Sequence, residues 1–294
     1  DCGRQTPSMP DGLVRWPDRP VTPGRVAVAT VSYNTRELTA LLLWSLRRIL
    51  AWESLEIVVV DNGSKDGSAE LLAKIDAAGG CRLIANAGNT MHGPALTQAM
   101  SSLASKGSEL PRWVWVLDSD IVISRPDALQ KAVQRAEETD AAIAGEPWWD
   151  SWHKRDCFLA YSLLIDPVRV WRDGIEPFTD GGDPAFDLLQ SAKAQGETLC
   201  EFPFVKDRYV IHRGRSSLFA VWQSGDTTHP SHDWARDHHE PHFGLVEGAA
   251  ATHDELMNAF RAEAGPLDDQ RAVAALTIRD QGWSPCRRSP PGWS

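Results

Sequence analysis

From Arg25 to Glu138 strand-like and helix-like segments alternate four times with short connections, and this alternation limits the possible folds more than any other feature. Arg25–Val31, Leu55–Val60, Cys81–Ala85 and Trp113–Leu117 are short apolar runs. Residues 36–50, 66–78, 93–106 and 125–138 between and after them read as helices; in the first, Leu38, Leu41, Leu42, Leu46 and Ile49 fall at helical spacing. A short continuous apolar run fits a strand covered on both faces, and strands joined by helical crossovers lie parallel. The fold class is therefore α/β, a doubly wound, mostly parallel sheet with helices on both faces. Right-handed crossovers carry the strand ends to one edge, where such sheets bind ligands. Thr30, Asp61, Asn86 and Asp118-Ser119-Asp120 end the four strands and are expected to line a single crevice.

The fourth of these ends is the most informative. Trp113-Val114-Trp115-Val116-Leu117 runs straight into Asp118-Ser119-Asp120, and apolar residues resume at Ile121. Two carboxylates one residue apart at the rim of a core repel each other and lose hydration, so they call for a cation. Oxygen donors suit Mg²⁺ or Mn²⁺, which complete their shells with water and phosphate oxygens. Asp and Ser are also turn formers, and taken alone the triplet fits a turn equally well. The chain has no Gly-x-Gly-x-x-Gly after its first strand and no Gly-x-x-x-x-Gly-Lys-Ser/Thr, which argues against dinucleotide hydride transfer and P-loop chemistry.

Composition narrows the partners. A formal charge of −10 argues against nucleic acid, whose phosphates need a basic footprint. No apolar run approaches the roughly 18 residues of a membrane helix. Asp1-Cys2-Gly3-Arg4 lacks a signal-peptide pattern, and Cys2, Cys81, Cys157, Cys200 and Cys286 form no Cys-x-x-Cys pair, so reduced thiols and a cytoplasmic location are expected. Residues 1–24, with five prolines, read as an irregular lead-in packed by Trp16, and residues 283–294 as a mobile tail.

Thr30-Val-Ser-Tyr-Asn34, Val59-Val-Asp-Asn-Gly-Ser-Lys-Asp-Gly-Ser68, Asn86-Ala-Gly-Asn89 and Asp118-Ser-Asp120, in that order, resemble the family-2 glycosyltransferases with the GT-A fold. The resemblance covers residues 25–145 well and the rest loosely. It implies a nucleotide-sugar-binding half over 25–145 and an acceptor-binding and catalytic half of the same domain over 146–282. In such enzymes Asp61 would bond the base of a nucleoside-diphosphate sugar, with Thr30 and Asn86 bordering its pocket. Asp118 and Ser119 would face the ribose side, and Asp120 would hold Mn²⁺ or Mg²⁺ on the diphosphate. As a turn residue, Asp61 would instead cap the helix that follows.

The same resemblance orders the second half. Asp183, in Thr179-Asp-Gly-Gly-Asp-Pro-Ala185, is the best match to the acid that deprotonates the acceptor, although Gly-Asp stands where the family more often has Glu-Asp, which leaves Asp180 as a substitute. Asp183 and Pro184 also make a helix start, as N-cap and first helical residue. His212 resembles a third metal ligand, and Arg213 and Arg215 are placed to meet diphosphate oxygens. Trp148 and Trp149, in a cluster of three Trp, offer indole faces to a small-molecule or glycan acceptor, or else close the sheet edge as core. His229, His232, His238, His239 and His242 read as an acceptor-side loop or a zinc site.

The expected activity is metal-assisted transfer of a sugar to an acceptor hydroxyl with inversion. A retaining enzyme with the same donor site is the alternative, and a non-catalytic nucleotide-sugar or zinc-binding module is the alternative of another class. A nucleotidyltransferase would need a Gly-rich basic loop after the first strand, and Ser32-Tyr33-Asn34-Thr35-Arg36 is not one.

Overall fold

A computed structural model of the chain describes residues 12–105, 110–150, 155–180, 183–225, 227, 232–238, 240 and 247–277. The expected tail at 283–294 lies outside the described residues. The first half runs β1 (Val21–Ser32), α1 (Arg36–Arg48), β2 (Leu55–Asp61), α2 (Ser68–Ala77), β3 (Arg82–Ala85), α3 (His92–Ala104) and β4 (Leu110–Leu117). After the Asp-Ser-Asp turn come β5 (Ile121–Ile123), α4 (Ala128–Glu138), β6 (Ile143–Asp150), β7 (Arg155–Ile165), α5 (Pro167–Val170), α6 (Phe186–Ala194), β8 (Leu199–Glu201) and β9 (Val210–His212). Helices α7 (Ser216–Ser224), α8 (His232–His238), α9 (Ala249–Ala264) and α10 (Gln270–Thr277) follow.

Among the described residues seven strands form one sheet in the order β3-β2-β1-β4-β7-β6-β8. β1 pairs parallel with β2 and β4, β2 parallel with β3, and β6 parallel with β8. β7 is the antiparallel member, between β4 and β6. The chain winds outward from β1 to β3 and then returns to the other side of β1 as β4. The switch point between β1 and β4 therefore opens a crevice at their carboxyl ends. Ser32 and Asp118 stand on its two sides.

Alternation along the strands separates two core layers. Val26, Val28, Trp113, Trp115 and Leu117 face one side with Leu41, Leu42, Leu72, Leu129 and Phe260 from α1, α2, α4 and α9. Ala27, Ala29, Val114 and Val116 face the other with Leu96 and Met100 of α3 and Leu188 and Leu189 of α6. Helices on both faces are what continuous apolar strands require. Trp115 is fully buried, stacks at 5.8 Å on Phe204 and donates its indole N–H to Ser162 Oγ (3.0 Å), so its one polar group is satisfied.

Several boundaries differ from those expected. β1 begins at Val21 rather than Arg25, because Val21 and Thr22 already pair with Leu110 and Pro111. The register shifts between Thr22 and Val26, and this irregularity accommodates Pro23 and a left-handed Gly24 (φ 73°). The preceding lead-in is pinned by Trp16, whose backbone N–H donates to the Trp171 carbonyl (2.8 Å), while the Trp171 indole donates to the Val14 carbonyl (2.9 Å). α6 begins at Phe186, not Pro184. Asp183 accepts from the Ala185 N–H (2.9 Å) in a tight turn ahead of the helix instead of serving as its N-cap. Residues 232–238, expected as loop, form α8. Cys81, Cys157 and Cys200 are buried free thiols, and among the described residues no helix is long and apolar enough to cross a membrane.

Candidate active site

The site is built where β4 leaves the core. The Asp118 N–H donates to the Tyr161 carbonyl (3.0 Å), the last bond to β7, and the Ile121 N–H returns to the Asp118 carbonyl (3.2 Å). That turn sends the chain into β5, which pairs antiparallel with β9 so that Ile121 opposes His212. The Arg213 N–H then donates to the Asp120 carbonyl (3.1 Å). Pairing across some ninety residues of chain thus sets an imidazole against two carboxylates. His212 Nε2 lies 3.2 Å from Asp120 Oδ1 and 3.4 Å from Asp118 Oδ2. Potential ligand atoms of Asp118, Asp120 and His212 all fall within 4.8 Å of one another, and this is the group of that kind among the described residues.

The electrostatics show what the cluster needs. Burial would by itself discharge His212, but Asp120 and Asp118 overcome it and hold the imidazole pKa well above its usual value. Burial likewise opposes ionised Asp120, yet His212 and hydrogen bonds from Ser216 keep its pKa below the usual carboxylate range. The two carboxylates thus favour positive charge at this point. Two carboxylates and an imidazole are also a donor set that suits a divalent ion. Asp118 Oδ1 has no hydrogen-bond partner among the described residues, and His92 Nε2 stands 3.5 Å from it.

A supporting shell fixes this geometry. The Tyr161 ring stacks on His212 with centroids 4.7 Å apart, and its hydroxyl donates to Glu146 Oε2 (2.8 Å). The same carboxylate accepts the N–H groups of Val205 (2.7 Å) and Lys206 (3.0 Å). Burial and Glu146 together push the Tyr161 hydroxyl far above its ordinary pKa, so it acts as a fixed donor. The Ser216 N–H donates to Asp120 Oδ2 (3.4 Å). Such outer contacts hold metal-ligating side chains in orientation.

A cavity of about 360 Å³ opens over the turn. Asp118, Ser119 and Asp120 line it, as do Val31, Tyr33, Asn62, Asn89, Met91 and His92 from the ends of β1 to β3 and the start of α3. Arg215, Ser216, Ser217, Leu218 and Val221 at α7 and Trp234 of α8 complete the lining. Thr30 and Asp61 are buried at their strand ends, next in the chain to Val31 and Asn62. Asp61 Oδ2 accepts the Ser64 N–H (3.1 Å), whereas Asp61 Oδ1 and Thr30 Oγ1 are buried without a hydrogen-bond partner among the described residues. An orphaned carboxylate oxygen is costly unless a ligand or water meets it.

Asn86, Ser119 and Arg213 make hydrogen bonds of their own. Asn86 donates to Asn62 Oδ1 (3.1 Å) and Gln98 Oε1 (2.8 Å). Asn62 in turn ties the β2 and β3 loops together, accepting from the Thr90 N–H (3.0 Å) and donating to Asn89 Oδ1 (3.0 Å) and the Met91 carbonyl (3.1 Å). Gly63 permits the close approach of these loops. It is left-handed (φ 80°), and a Cβ there would sit 2.6 Å from Gly88 Cα. The Ser119 hydroxyl lies 3.1 Å from Thr35 Oγ1, in a buried hydroxyl cluster with Ser32 and Thr39. Arg215 lines the cavity over the turn, but Arg213 lines a larger neighbouring one of about 480 Å³ and donates to Ser216 Oγ (3.0 Å).

Asp183 is held by the N–H groups of Ala160 (3.3 Å) and Ala185 (2.9 Å), and burial raises its pKa to about 6. Asp180 is more exposed and accepts the Gly93 N–H (3.0 Å) in the first turn of α3, a capping role that occupies one oxygen. The backbones of Trp148 and Trp149 pair with Cys157 and Asp156 of β7, and their side chains lie outside the described residues. His229, His239 and His242 lie outside them as well, and neither His232 nor His238 belongs to a described metal-ligating group. Sequence reasoning missed His92, Glu146, Tyr161, Ser216 and Trp234. The single lead to them was Arg213-Gly-Arg-Ser-Ser217, whose Ser216 reaches Asp120.

The family described as "Glycosyl transferase family 2" matches residues 27–176, half of the chain. No curated protein sequence matches the chain. Among solved structures, the chain is similar to the mannosyltransferase PcManGT from Pyrobaculum calidifontis in complex with GDP-Man and Mn²⁺. The TM-score is 0.50 at 19% identity, covering 92% of this chain and 82% of that one. It is also similar to S. aureus TarS 1–349 in complex with UDP-GlcNAc (TM-score 0.45, 15% identity, 57% of this chain), of which it spans 53%, about half. A third is glucosyl-3-phosphoglycerate synthase from Mycobacterium tuberculosis in complex with phosphoglyceric acid (TM-score 0.45, 15% identity, 60% and 69% of the two chains). At such identities the likeness is one of fold.

Proposed function

The chain belongs to glycosyl transferase family 2 and has the GT-A fold, and from that premise we propose that it moves a sugar from a metal-bound nucleoside-diphosphate sugar to an acceptor hydroxyl with inversion at the anomeric carbon. The observation that carries this reading is the Asp118–Asp120–His212 donor set at the β1/β4 switch point. The orphaned Asp61 Oδ1 supports it, because it suits a nucleobase N–H at the adjacent strand end. Thr30 and Asn86 would shape that end of the site. Mn²⁺ or Mg²⁺ in the donor set would neutralise the leaving diphosphate as the glycosidic bond breaks.

This chain's own groups supply the rest. Arg215, on the same cavity, would donate to diphosphate oxygens. Arg213 would act one step back, by fixing Ser216 against Asp120. Asp183 would take the acceptor proton; a carboxylate with a pKa near 6 is ionised at neutral pH yet more basic than an ordinary one. The acceptor, a small molecule or glycan, would lie towards Trp148 and Trp149. These residues sit on the strand paired with β7, whose Ala160 N–H holds Asp183.

The test is sugar transfer from a panel of UDP-, GDP-, dTDP- and ADP-sugars, with Mn²⁺, Mg²⁺ or EDTA, and NMR of the product anomer. Metal-dependent turnover of one donor, lost in Asp120→Asn and yielding the inverted anomer, is expected. Turnover that survives EDTA and Asp120→Asn would contradict the metal-assisted reading, and a retained anomer would contradict Asp183 as the base.

A further inference from the structure

Trp234 is 54% exposed, and of the large apolar side chains exposed among the described residues it is the one that lines the cavity over the Asp-Ser-Asp turn. An indole left half in water at the rim of this cavity is apolar surface that a ligand can cover. It is also held in place. The His238 ring, one helical turn on, stacks against it at 4.7 Å and 20°, and His238 Nδ1 lies 2.9 Å from the Trp234 carbonyl. One face of the indole is thus braced, and its remaining surface meets cavity and solvent.

The rest of the lining indicates which part of a ligand would meet it. Val31 and Tyr33 from the end of β1, Asn62 from the end of β2, and Leu218 and Val221 of α7 share the cavity with Trp234. Asp183, Tyr161 and Glu146 do not line it, so the cavity belongs to the donor end of the site and not to the base-catalyst end. Asn89, His92, Asp118, Ser119, Asp120, Arg215, Ser216 and Ser217 share the lining and suit a diphosphate and its metal, whereas the flat apolar part of a nucleotide sugar, which suits the indole with Val31, Tyr33, Leu218 and Val221, is its base. Stacking of a base on an aromatic face is tolerant of base identity and substantial in strength.

We propose that Trp234 is a nucleobase-stacking residue, an aromatic wall contributed by α8 to the nucleotide end of the cavity. The inference rests on the donor-site reading above and adds a residue that the strand-end motifs do not contain. Because the side chain is exposed, Trp234→Ala should leave the melting temperature of the unliganded protein unchanged.

Calorimetric titration with UDP, GDP, dTDP and ADP in the presence of Mn²⁺, and separately with inorganic pyrophosphate and Mn²⁺, tests it. Trp234→Ala should weaken the preferred diphosphate about tenfold or more, Trp234→Phe should restore most of the loss, and pyrophosphate, which has no base, should bind all three proteins alike. Equal weakening of pyrophosphate would overturn the proposal by placing the effect at the metal or the fold. Unchanged diphosphate binding would also overturn it, and if the acceptor KM then rose, the residue would belong to the acceptor wall. Failure of the unmutated protein to bind any diphosphate would overturn the donor-site reading and this inference together, whereas equal binding by both proteins would overturn this inference alone.

Discussion

Asp183 decides the chemistry at the scale of single residues. A general base works only when ionised, and burial raises this carboxyl to about 6, so kcat/KM should fall about tenfold per pH unit below 6 and level off above it. Asp183→Asn should lower kcat by about 10²- to 10⁴-fold and leave nucleoside-diphosphate binding intact. An acid limb at the ordinary carboxylate value of 3.8, or transfer that survives the substitution, would move the role elsewhere. Gly63 carries a prediction about stability. Alanine there would be left-handed and would press on Gly88 Cα, so Gly63→Ala should cost about 1–3 kcal/mol in urea unfolding. Asp61, Asp118 and Asp120 could be picked from sequence because strand-end acids are visible in one local window. Asp183 could be picked only through resemblance, since its burial depends on β7, and Glu146, Tyr161 and His92 acquire meaning through contacts that no local window contains.

Among the elements, β4 with its following turn and β5 couples the core to the site. Trp115 fills the layer beside Phe204, and its indole N–H is satisfied by Ser162 of β7. Trp115→Ala should therefore cost about 3–5 kcal/mol by chemical denaturation, while Trp115→Phe should cost much less because most of the packing survives. An alanine variant of near-native stability would mean that the layer collapses around the gap. β4 was legible as an uninterrupted apolar run, and so were β1 and β2. The pairing of β5 with β9 was not, because two three-residue strands about ninety residues apart carry no periodic signal. α8 was hidden for a similar reason. Its seven residues include two His, two Asp and an Arg, so no apolar stripe marks the helix. The four-residue advance of β1 was masked by Pro23, which a register irregularity absorbs.

At the scale of the whole molecule, winding outward from β1 and returning as β4 leaves a crevice that the chain itself does not fill. Asp118 and Asp120 of the turn after β4 and an imidazole from the distant β9 converge there, where the two carboxylates favour positive charge. That winding was legible from strand–helix alternation alone. How the C-terminal helices close over the crevice was not, because α7 and α8 follow no alternation. If this centre binds a nucleoside diphosphate through a divalent ion, thermal unfolding with UDP, GDP, dTDP and ADP, each with Mn²⁺, Mg²⁺ or EDTA, will report it. A diphosphate at about 100 times its dissociation constant should add roughly 2.7 kcal/mol, a rise of several degrees. That rise is expected for one diphosphate, with metal present, and its loss in Asp120→Asn. An equal rise in EDTA, or no response to any of the four nucleotides, would contradict it.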